Sequence, residues 1–198
     1  PVHILLDQQT IITMKPQIIT AKPTLKILKY GDPILRKKVE DVSDFTNLPY
    51  LVEQMFNTMH EGSGIGLAAN QIGYSLNLVV LDTSNLEGEE DCKPYILINT
   101  EIIGSNGSSI MEEGCLSVPD IRAEIERPET IIIKFQDLEQ NFYEESFTGL
   151  LSRVIQHELD HLNGKFFVDY LSPAKKILIK KRLLEISKNG SPSTGIIL

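Results

Sequence analysis

The spacing of hydrophobic residues along the chain predicts three helices. In residues 49–60, apolar side chains recur every three or four positions, the period of one helix face, and Gly62 follows the last of them. The same period returns in residues 148–163, directly before Gly164, and glycine often ends a helix in the left-handed conformation. Residues 173–188 are predicted to form the last helix.

Short runs of branched and aromatic residues predict β-strands between these helices. The predicted strands are residues 78–81, 95–98, 121–127, 130–136 and 141–147. Polar turns join the last three, as expected for antiparallel strands, and residues 104–109 are interpreted as a turn. This order favours an α+β fold, in which antiparallel β-sheets pack around a central helix at residues 148–163, with an N-terminal helix and a C-terminal helix.

Composition divides the chain into three parts. Residues 1–23 mix Ile, Thr, Gln and Lys with three prolines and no clear period, so we expect an N-terminal arm or extension. Residues 24–190 are expected to form a single catalytic domain, followed by a flexible tail at residues 191–198. A chain of 198 residues can bury about 70% of the surface that its unfolded form would expose, so folding does not require disulfides.

Charge and hydropathy narrow the classes of function. The 19 basic and 27 acidic residues give a net charge of −8, which argues against a general basic surface for nucleic acids, and no sequence-specific nucleic-acid partner is expected. No apolar run reaches the ~20 residues of a membrane helix, and the N-terminus lacks the pattern of a secretory signal. The expected location is therefore cytoplasmic, with an organelle as the less favoured alternative. In that setting Cys92 and Cys115 are expected to be free thiols or a metal thiolate rather than a disulfide.

The segment Gln156-His157-Glu158-Leu159-Asp160-His161 contains an H-E-x-x-H pattern inside the predicted central helix. Four residues make slightly more than one helical turn, so His157 and His161 project from the same face. Two imidazoles placed in this way can hold a divalent metal, and Glu158 can handle the protons of a water that the metal activates. The pattern indicates metal-assisted hydrolysis, although it also occurs by chance in ordinary helices.

A catalytic metal usually has three protein ligands, and the residues alone leave the third one open. The extended zinc-protease pattern would need a histidine at Phe167, so that arrangement fails. Glu185 could serve as in a zinc endopeptidase, although a surface acid among the basic residues of the last helix is the favoured interpretation. Cys115 could bind as a thiolate or could be a small buried hydrophobe.

Three segments, in order, resemble the three signature motifs of the peptide deformylases. They are Gly64-Ile65-Gly66-Leu67-Ala68-Ala69-Asn70-Gln71, Glu113-Gly114-Cys115-Leu116-Ser117 and the H-E-x-x-H segment. The resemblance extends over about residues 25–188 and fits the bacterial-type subgroup with a C-terminal helix. It implies a hydrolase that removes the N-formyl group from the N-terminal methionine of new polypeptides.

The resemblance also implies the ligands and the catalytic groups. Cys115, His157 and His161 would bind one divalent metal, iron(II) in the cell, with zinc, nickel or cobalt as replacements. Glu158 would act as the acid and base, and the Gln71 amide and the Leu116 N–H would stabilise an oxyanion. Gln71 could instead only tie down the glycine-rich loop.

A substrate site is expected around these groups, although the same residues could have purely structural roles. It would comprise Gly64, Ile65, Gly66, Met111, Glu113, Arg122, Leu150 and Val154. Glycines at 64 and 66 would let a peptide backbone lie close by, or would only serve a tight turn. Leu150 and Val154 could belong to the core, and Arg122 could be a solvated strand residue. Glu113 could pair with Arg127 and steady the cysteine segment.

Two further features bear on the surroundings of the site. Arg153 stands at a position where relatives often have a hydrophobic residue bordering the substrate pocket, which leaves the outer wall of that pocket undefined. The last helix concentrates basic residues, which form either a solvated face or, as the resemblance suggests, a surface that docks to the ribosome. These are Lys175, Lys176, Lys180, Lys181, Arg182 and Lys188.

Overall fold

The computed structural model describes residues 22–189, in which helices pack on both faces of a β-sheet. Its helices are α1 (Leu48–Glu61), α2 (Gly149–Leu162) and α3 (Pro173–Asn189), with 3₁₀ turns at Pro33–Arg36, Ala69–Ile72 and Phe167–Tyr170. Its strands are β1 (Gly66–Ala68), β2 (Leu78–Leu81), β3 (Tyr95–Asn106), β4 (Ser109–Cys115), β5 (Val118–Arg127), β6 (Thr130–Gln136) and β7 (Phe142–Thr148). Residues 1–21 of the predicted arm and the predicted tail lie outside the described residues.

Two antiparallel sheets confirm the α+β prediction. The larger sheet has five strands in the order β1-β2-β3-β6-β7, and β4 pairs with β5 in a separate hairpin. Every pairing in both sheets is antiparallel. The hairpin therefore forms a unit of its own, which is attached to the rest of the domain by packing and by polar side chains.

Strand β2 lies at the centre of the domain because both of its faces are buried. Leu78 and Val80 belong to the core cluster that contains the inner face of α1. The alternate residues, Val79 and Leu81, belong to the cluster that contains Val154, Ile155, Leu159 and Leu162 of α2. Since successive side chains of a strand point to opposite faces, helices α1 and α2 pack on opposite sides of the sheet. One face of the sheet thus packs against α2 and supports it.

A third core cluster joins the β4–β5 hairpin to the C-terminal elements. It contains Val118 and Ile125 of the hairpin, Phe166 and Phe167 of the segment after α2, and Ile186 of α3. Ile186 is fully buried, whereas Ile177 and Leu178 are 71% and 82% exposed. Helix α3 thus contributes one anchor to the core. Over residues 22–189, no helix combines the length and the apolar character that crossing a membrane requires.

The sequence misplaced three features of the strands. Strand β3 continues to Asn106 and β4 begins at Ser109, so the predicted turn at residues 104–109 is shortened to residues 107–108; Gly104 pairs within the sheet beside a register shift. Strand β4 was not predicted, because two glutamates and a glycine at residues 112–114 look like a loop. The predicted strand at residues 121–127 begins earlier, at Val118, and pairs with β4 instead of joining the main sheet.

Candidate metal centre

Two histidines project from the middle of α2 into the protein. His157 and His161 are 5% and 0% exposed, and their ring centroids lie 5.0 Å apart. The helix ends where predicted, because Gly164 adopts φ = 73° and an added Cβ would lie 2.6 Å from the carbonyl oxygen of Arg36. The segment after α2 thus turns back under the histidines, and Phe166 meets the ring of His161 edge-on at a centroid distance of 5.2 Å.

Cys115 comes to the histidines from the end of β4. A register shift between Glu113 and Cys115 breaks the β4–β5 ladder there, and the Cys115 Sγ atom lies 3.1 Å from His161 Nε2. Ligand atoms of Cys115, His157 and His161 all lie within 4.8 Å of one another. Within residues 22–189, these three residues are the one group of three or more His, Cys, Asp or Glu side chains placed to share an ion.

The donors fit a divalent transition metal. A thiolate and two imidazoles suit zinc, iron, nickel or cobalt, and three protein ligands leave a position for water or substrate. The neighbouring Glu158 Oε2 atom is buried and has no hydrogen-bond partner, as expected beside a site meant to hold a further group.

Glu113 holds the first histidine in place from behind. Its Oε2 accepts a hydrogen bond from His157 Nδ1 at 2.8 Å, so that His157 Nε2 is left for an ion. The predicted pair with Arg127 is confirmed, because Arg127 donates to both carboxylate oxygens, at 2.6 and 3.1 Å. Burial opposes ionisation of Glu113, but these hydrogen bonds outweigh it and hold the pKa of the carboxyl well below its usual range.

The two imidazoles differ in how readily they take a proton. Burial works against protonation of His157, but hydrogen bonds with Cys115 and Glu113 outweigh it and raise the pKa of His157 well above its usual value. Burial, followed by the charge of His157, lowers the pKa of His161 well below its usual value. An imidazole binds a metal in its neutral form, so metal binding at this site is expected to depend on pH.

Arg153, which left the outer wall of the substrate pocket undefined in the sequence, is buried in the structure. Its side chain is 3% exposed and turns into the protein. Its Nη1 donates to Glu113 Oε1 at 2.9 Å and to the Ile125 carbonyl at 2.9 Å, and its Nη2 donates to the Ser109 carbonyl at 2.7 Å. The sequence carries no local signal for this contact, because Glu113 and Arg153 are 40 positions apart.

Glu158 lies at the bottom of the site, against β1. The carboxyl is 4% exposed, and burial raises its pKa to about 7. A Cβ added at Gly66 would lie 2.5 Å from Glu158 Oε1 and 2.8 Å from Val154 Cγ1, so the backbone of β1 approaches the acid as only glycine permits. A carboxyl of this pKa can take up and release a proton near neutral pH.

Gln71 points its amide nitrogen at the sulfur. Its Oε1 accepts from the Ala68 backbone N–H at 2.8 Å, while Nε2 donates to Ser117 Oγ at 3.2 Å and lies 3.6 Å from Cys115 Sγ. Both interpretations of Gln71 are therefore compatible with the geometry. The amide oxygen ties down the glycine-rich loop, and the amide nitrogen faces the Cys115 sulfur. Leu116 follows Cys115 directly, and its carbonyl accepts from Lys29 Nζ at 2.7 Å.

The remaining expected substrate residues fall into two groups. Ile65 and Val154 are buried in one cluster with Leu150 packed against it, and an added Cβ at Gly64 would lie 2.7 Å from Leu116 Cδ1. Met111 is half-buried opposite Ile125 in the hairpin. Arg122 instead stands among the exposed positions of β5, where its Nη1 lies 3.3 Å from Glu112 Oε2, so the structure does not bring it to the metal ligands.

The rival third ligand lies in another part of the fold. Glu185 is on α3 and pairs with Arg182 at 3.3 Å. Phe167 stacks on the ring of His157 at a centroid distance of 6.0 Å, in the place where the extended protease pattern would need a histidine. The described geometry thus favours the cysteine over both alternatives.

Comparison with known proteins identifies similar chains over most of this length. A sequence model of the family described as Polypeptide deformylase matches residues 24–177. The chain is 41% identical to the peptide deformylase of Chlorobium phaeovibrioides over 167 residues, which covers 83% of this chain and 87% of that protein. The crystal structure of a peptide deformylase from Legionella pneumophila matches with a TM-score of 0.76 and 39% identity, covering 83% of this chain and 96% of that one. The crystal structure of the Thermus thermophilus peptide deformylase matches with a TM-score of 0.78 and 36% identity, covering 83% and 98%.

Proposed function

The chain belongs to the polypeptide deformylase family, and we propose that Cys115, His157 and His161 hold the one divalent metal ion on which its activity depends. The enzyme is a hydrolase that removes the N-formyl group from the N-terminal methionine of newly synthesised polypeptides and releases formate. The observation that carries the proposal is the convergence of one buried thiol and two buried imidazoles, with ligand atoms within 4.8 Å of one another.

Protons are handled by Glu158 in this proposal. When bound, the cation supplies Lewis-acid chemistry, because it lowers the pKa of water and polarises the formyl carbonyl. Glu158 accepts the proton of the attacking water and then delivers it to the departing amine. Its pKa of about 7 and its buried position against Gly66 support this role, since both transfers need a group that exchanges protons near neutral pH.

Gln71 and Leu116 stabilise the negative charge that develops on the formyl oxygen. The Gln71 amide nitrogen lies 3.6 Å from Cys115 Sγ, and Leu116 is the next residue of the chain, so both are next to the metal ligands. Donors that are fixed before the reaction gain strength in a site without water, and each can lower the barrier by about 2.7–4 kcal/mol.

The methionine side chain lies against apolar residues in this proposal. Ile65, Leu150 and Val154 share one cluster beside Glu158, and the half-buried Met111 lies in the hairpin opposite Ile125. The substrate backbone lies along Gly64 and Gly66, at which an added Cβ would collide with Leu116 and Glu158. Arg122, on the exposed face of the hairpin, contacts the polypeptide beyond its first residue. Glu113 contributes from behind His157 rather than by touching the substrate.

Formate release from formyl-Met-Ala-Ser tests the function. Protein loaded with iron(II) with oxygen excluded is expected to release formate, and a chelator should abolish the release. We propose iron(II) as the ion in the cell, so the iron-loaded protein should be far more active than the zinc-loaded protein, with nickel and cobalt as working replacements.

The possible outcomes test the metal and the reaction separately. Equal activity with iron and zinc would refute iron(II) as the cellular metal but would not contradict the proposed reaction. No formate release with any of the four metals, from protein shown to contain one ion per chain, would refute the reaction itself. A matched peptide with acetyl in place of formyl serves as the control.

We further propose that the enzyme works in the cytoplasm and docks to the ribosome through α3. Lys175, Lys180 and Lys181 are exposed and have room to meet RNA phosphates. Two other cations of this helix are already engaged, because Lys176 Nζ donates to the Asp169 carbonyl at 2.7 Å and Arg182 pairs with Asp120 at 2.5 Å.

Charge reversal tests ribosome docking better than truncation does. Removing α3 would also remove Ile186, which is fully buried in the core. The double variant Lys180→Glu/Lys181→Glu should instead bind ribosomes weakly in co-sedimentation, while formate release from short peptides is unchanged. The control is Lys26→Glu/Lys93→Glu, which makes the same charge change at exposed positions elsewhere. Equal binding by both double variants would contradict docking through α3.

A further inference from the structure

Arg153 is a buried cation for which the proposed reaction has no use. It lies on α2 four residues before His157, and its side chain is 3% exposed. Besides Glu113, it contacts the β4–β5 hairpin at the carbonyls of Ile125 and Ser109 and at Ser109 Oγ, the last at 3.0 Å. Burying a charged side chain costs free energy, and the hydrogen bonds of Arg153 offset that cost.

These contacts join the two elements that supply the ligands. The hairpin register places Ser109 opposite Arg127 and Met111 opposite Ile125, so Arg153 reaches both strands, at rungs that are separated by the pair Ile110–Glu126. Cys115 comes from the same hairpin, whereas His157 and His161 come from α2. The distance between the sulfur and the imidazoles therefore depends on how firmly the hairpin is held against the helix.

The contact with Glu113 completes a saturated carboxylate. Oε1 accepts from Arg127 Nε at 2.6 Å and from Arg153 Nη1 at 2.9 Å, and Oε2 accepts from Arg127 Nη2 and His157 Nδ1. A carboxylate held by four donors has no freedom to turn, so neither has the imidazole that depends on it.

Arg153 also adds a second guanidinium group to a cluster that contains two carboxylates. Glu113 and Asp160 are both in contact with Arg127, which donates to Asp160 Oδ2 at 2.7 Å. With Arg153, two carboxylates face two guanidinium groups. Without it, Arg127 would be the one guanidinium group for both carboxylates, in a region where Glu113 is 1% exposed, and Glu113 Oε1 would lose one of its two donors.

We propose that Arg153 is a positioning residue of the metal centre, which fixes the ring of His157 through Glu113 and holds the Cys115 hairpin at the right distance from α2. The inference rests on the proposed ligand set and not on deformylation. A purely structural ion pair would also stabilise the fold, so the test must measure the metal site itself.

Cobalt(II) provides the measurement. Arg153→Met keeps the length of the side chain and removes its charge and donors, and Arg153→Lys keeps the charge but cannot reach all four acceptors. Affinity for cobalt is measured by competition with a chelator, and the absorption bands of bound cobalt report its thiolate and imidazole ligands. We expect Arg153→Met to bind cobalt about 10–100-fold more weakly with shifted bands, the scale seen when a residue behind a metal ligand is lost. Arg153→Lys should lie between it and the unchanged protein.

The controls separate this inference from the proposals above. Arg182→Met removes an arginine that pairs with acids on the surface and should leave cobalt affinity unchanged. If Arg153→Met is less stable to heat but binds cobalt as the unchanged protein does, the inference is overturned. If Arg153→Met does not fold, Arg153→Lys decides, because normal affinity and normal bands in that variant also overturn it. If cobalt bound to the unchanged protein gives no thiolate band, the ligand set fails instead.

Discussion

A Cys115→Ala variant is expected to purify without its metal and to release no measurable formate. Cys115 supplies the one sulfur of the donor group, and the two imidazoles that remain belong to a single helix. A site with two ligands holds a divalent ion far more weakly than a site with three, so the loss should exceed the about 10–100-fold that removal of a supporting residue costs. Metal content is measured by elemental analysis of the purified protein, and formate by enzymatic assay.

Cys92→Ala is the matched control for this substitution. Cys92 lies in the loop after β2, where its Sγ donates to Glu89 Oε2 at 2.9 Å, and it is not part of the donor group. Its replacement should leave metal content and activity unchanged. Should Cys115→Ala keep a full equivalent of metal, the ligand set is wrong, and the endopeptidase-like set with Glu185 would have to be considered again.

A Glu158→Gln variant is expected to keep its metal and lose most of its turnover. Glutamine has the size of glutamate and can fill the same buried space against Gly66, but it cannot accept a proton. General acid–base catalysis of this kind contributes about 10²–10⁴-fold, so kcat should fall by that factor while metal content stays at one ion per chain. The result therefore differs from that of Cys115→Ala, in which metal and activity disappear together.

The pH profile of the unchanged enzyme bears on the same carboxyl. Glu158 must be ionised to accept a proton, so kcat should fall as the pH drops through the pKa of Glu158. Burial raises that pKa to about 7 in the metal-free protein, and a cation nearby places it at or below this value. Glu185→Gln, which alters a partly exposed acid of α3, should match the unchanged enzyme at every pH. A Glu158→Gln variant with normal kcat would remove Glu158 from the mechanism.

The parts of the fold that follow a local period could be predicted from the sequence. The period of α2 and its glycine stop gave both histidines a common buried face, because one helical turn fixes their relation. Strands β6 and β7 were predicted within one residue, since they alternate and are joined by a short polar turn. The pairing of Glu113 with Arg127 was predicted as a support for the cysteine segment, and the structure contains it.

The parts that depend on distant contacts could not be predicted. Strand β4 contains Glu113, which looks like a loop residue until the arginines from β5 and α2 neutralise it in the fold. Arg153 looked like a pocket residue because nothing local says that an arginine in an apolar helix face turns towards a glutamate 40 positions away. The approach of Cys115 to the histidines likewise spans 46 positions and was inferred from the resemblance rather than from spacing.

The ligand set is tested most directly by the X-ray absorption spectrum of the zinc-loaded protein at the metal edge. We expect a first coordination shell with one sulfur at about 2.3 Å and two imidazole nitrogens at about 2.0–2.1 Å, with one further light atom that changes when a substrate-like inhibitor binds. The sulfur contribution should vanish in Cys115→Ala and persist in Cys92→Ala. A shell without sulfur, or a fourth position filled by another protein side chain, would contradict the proposed centre.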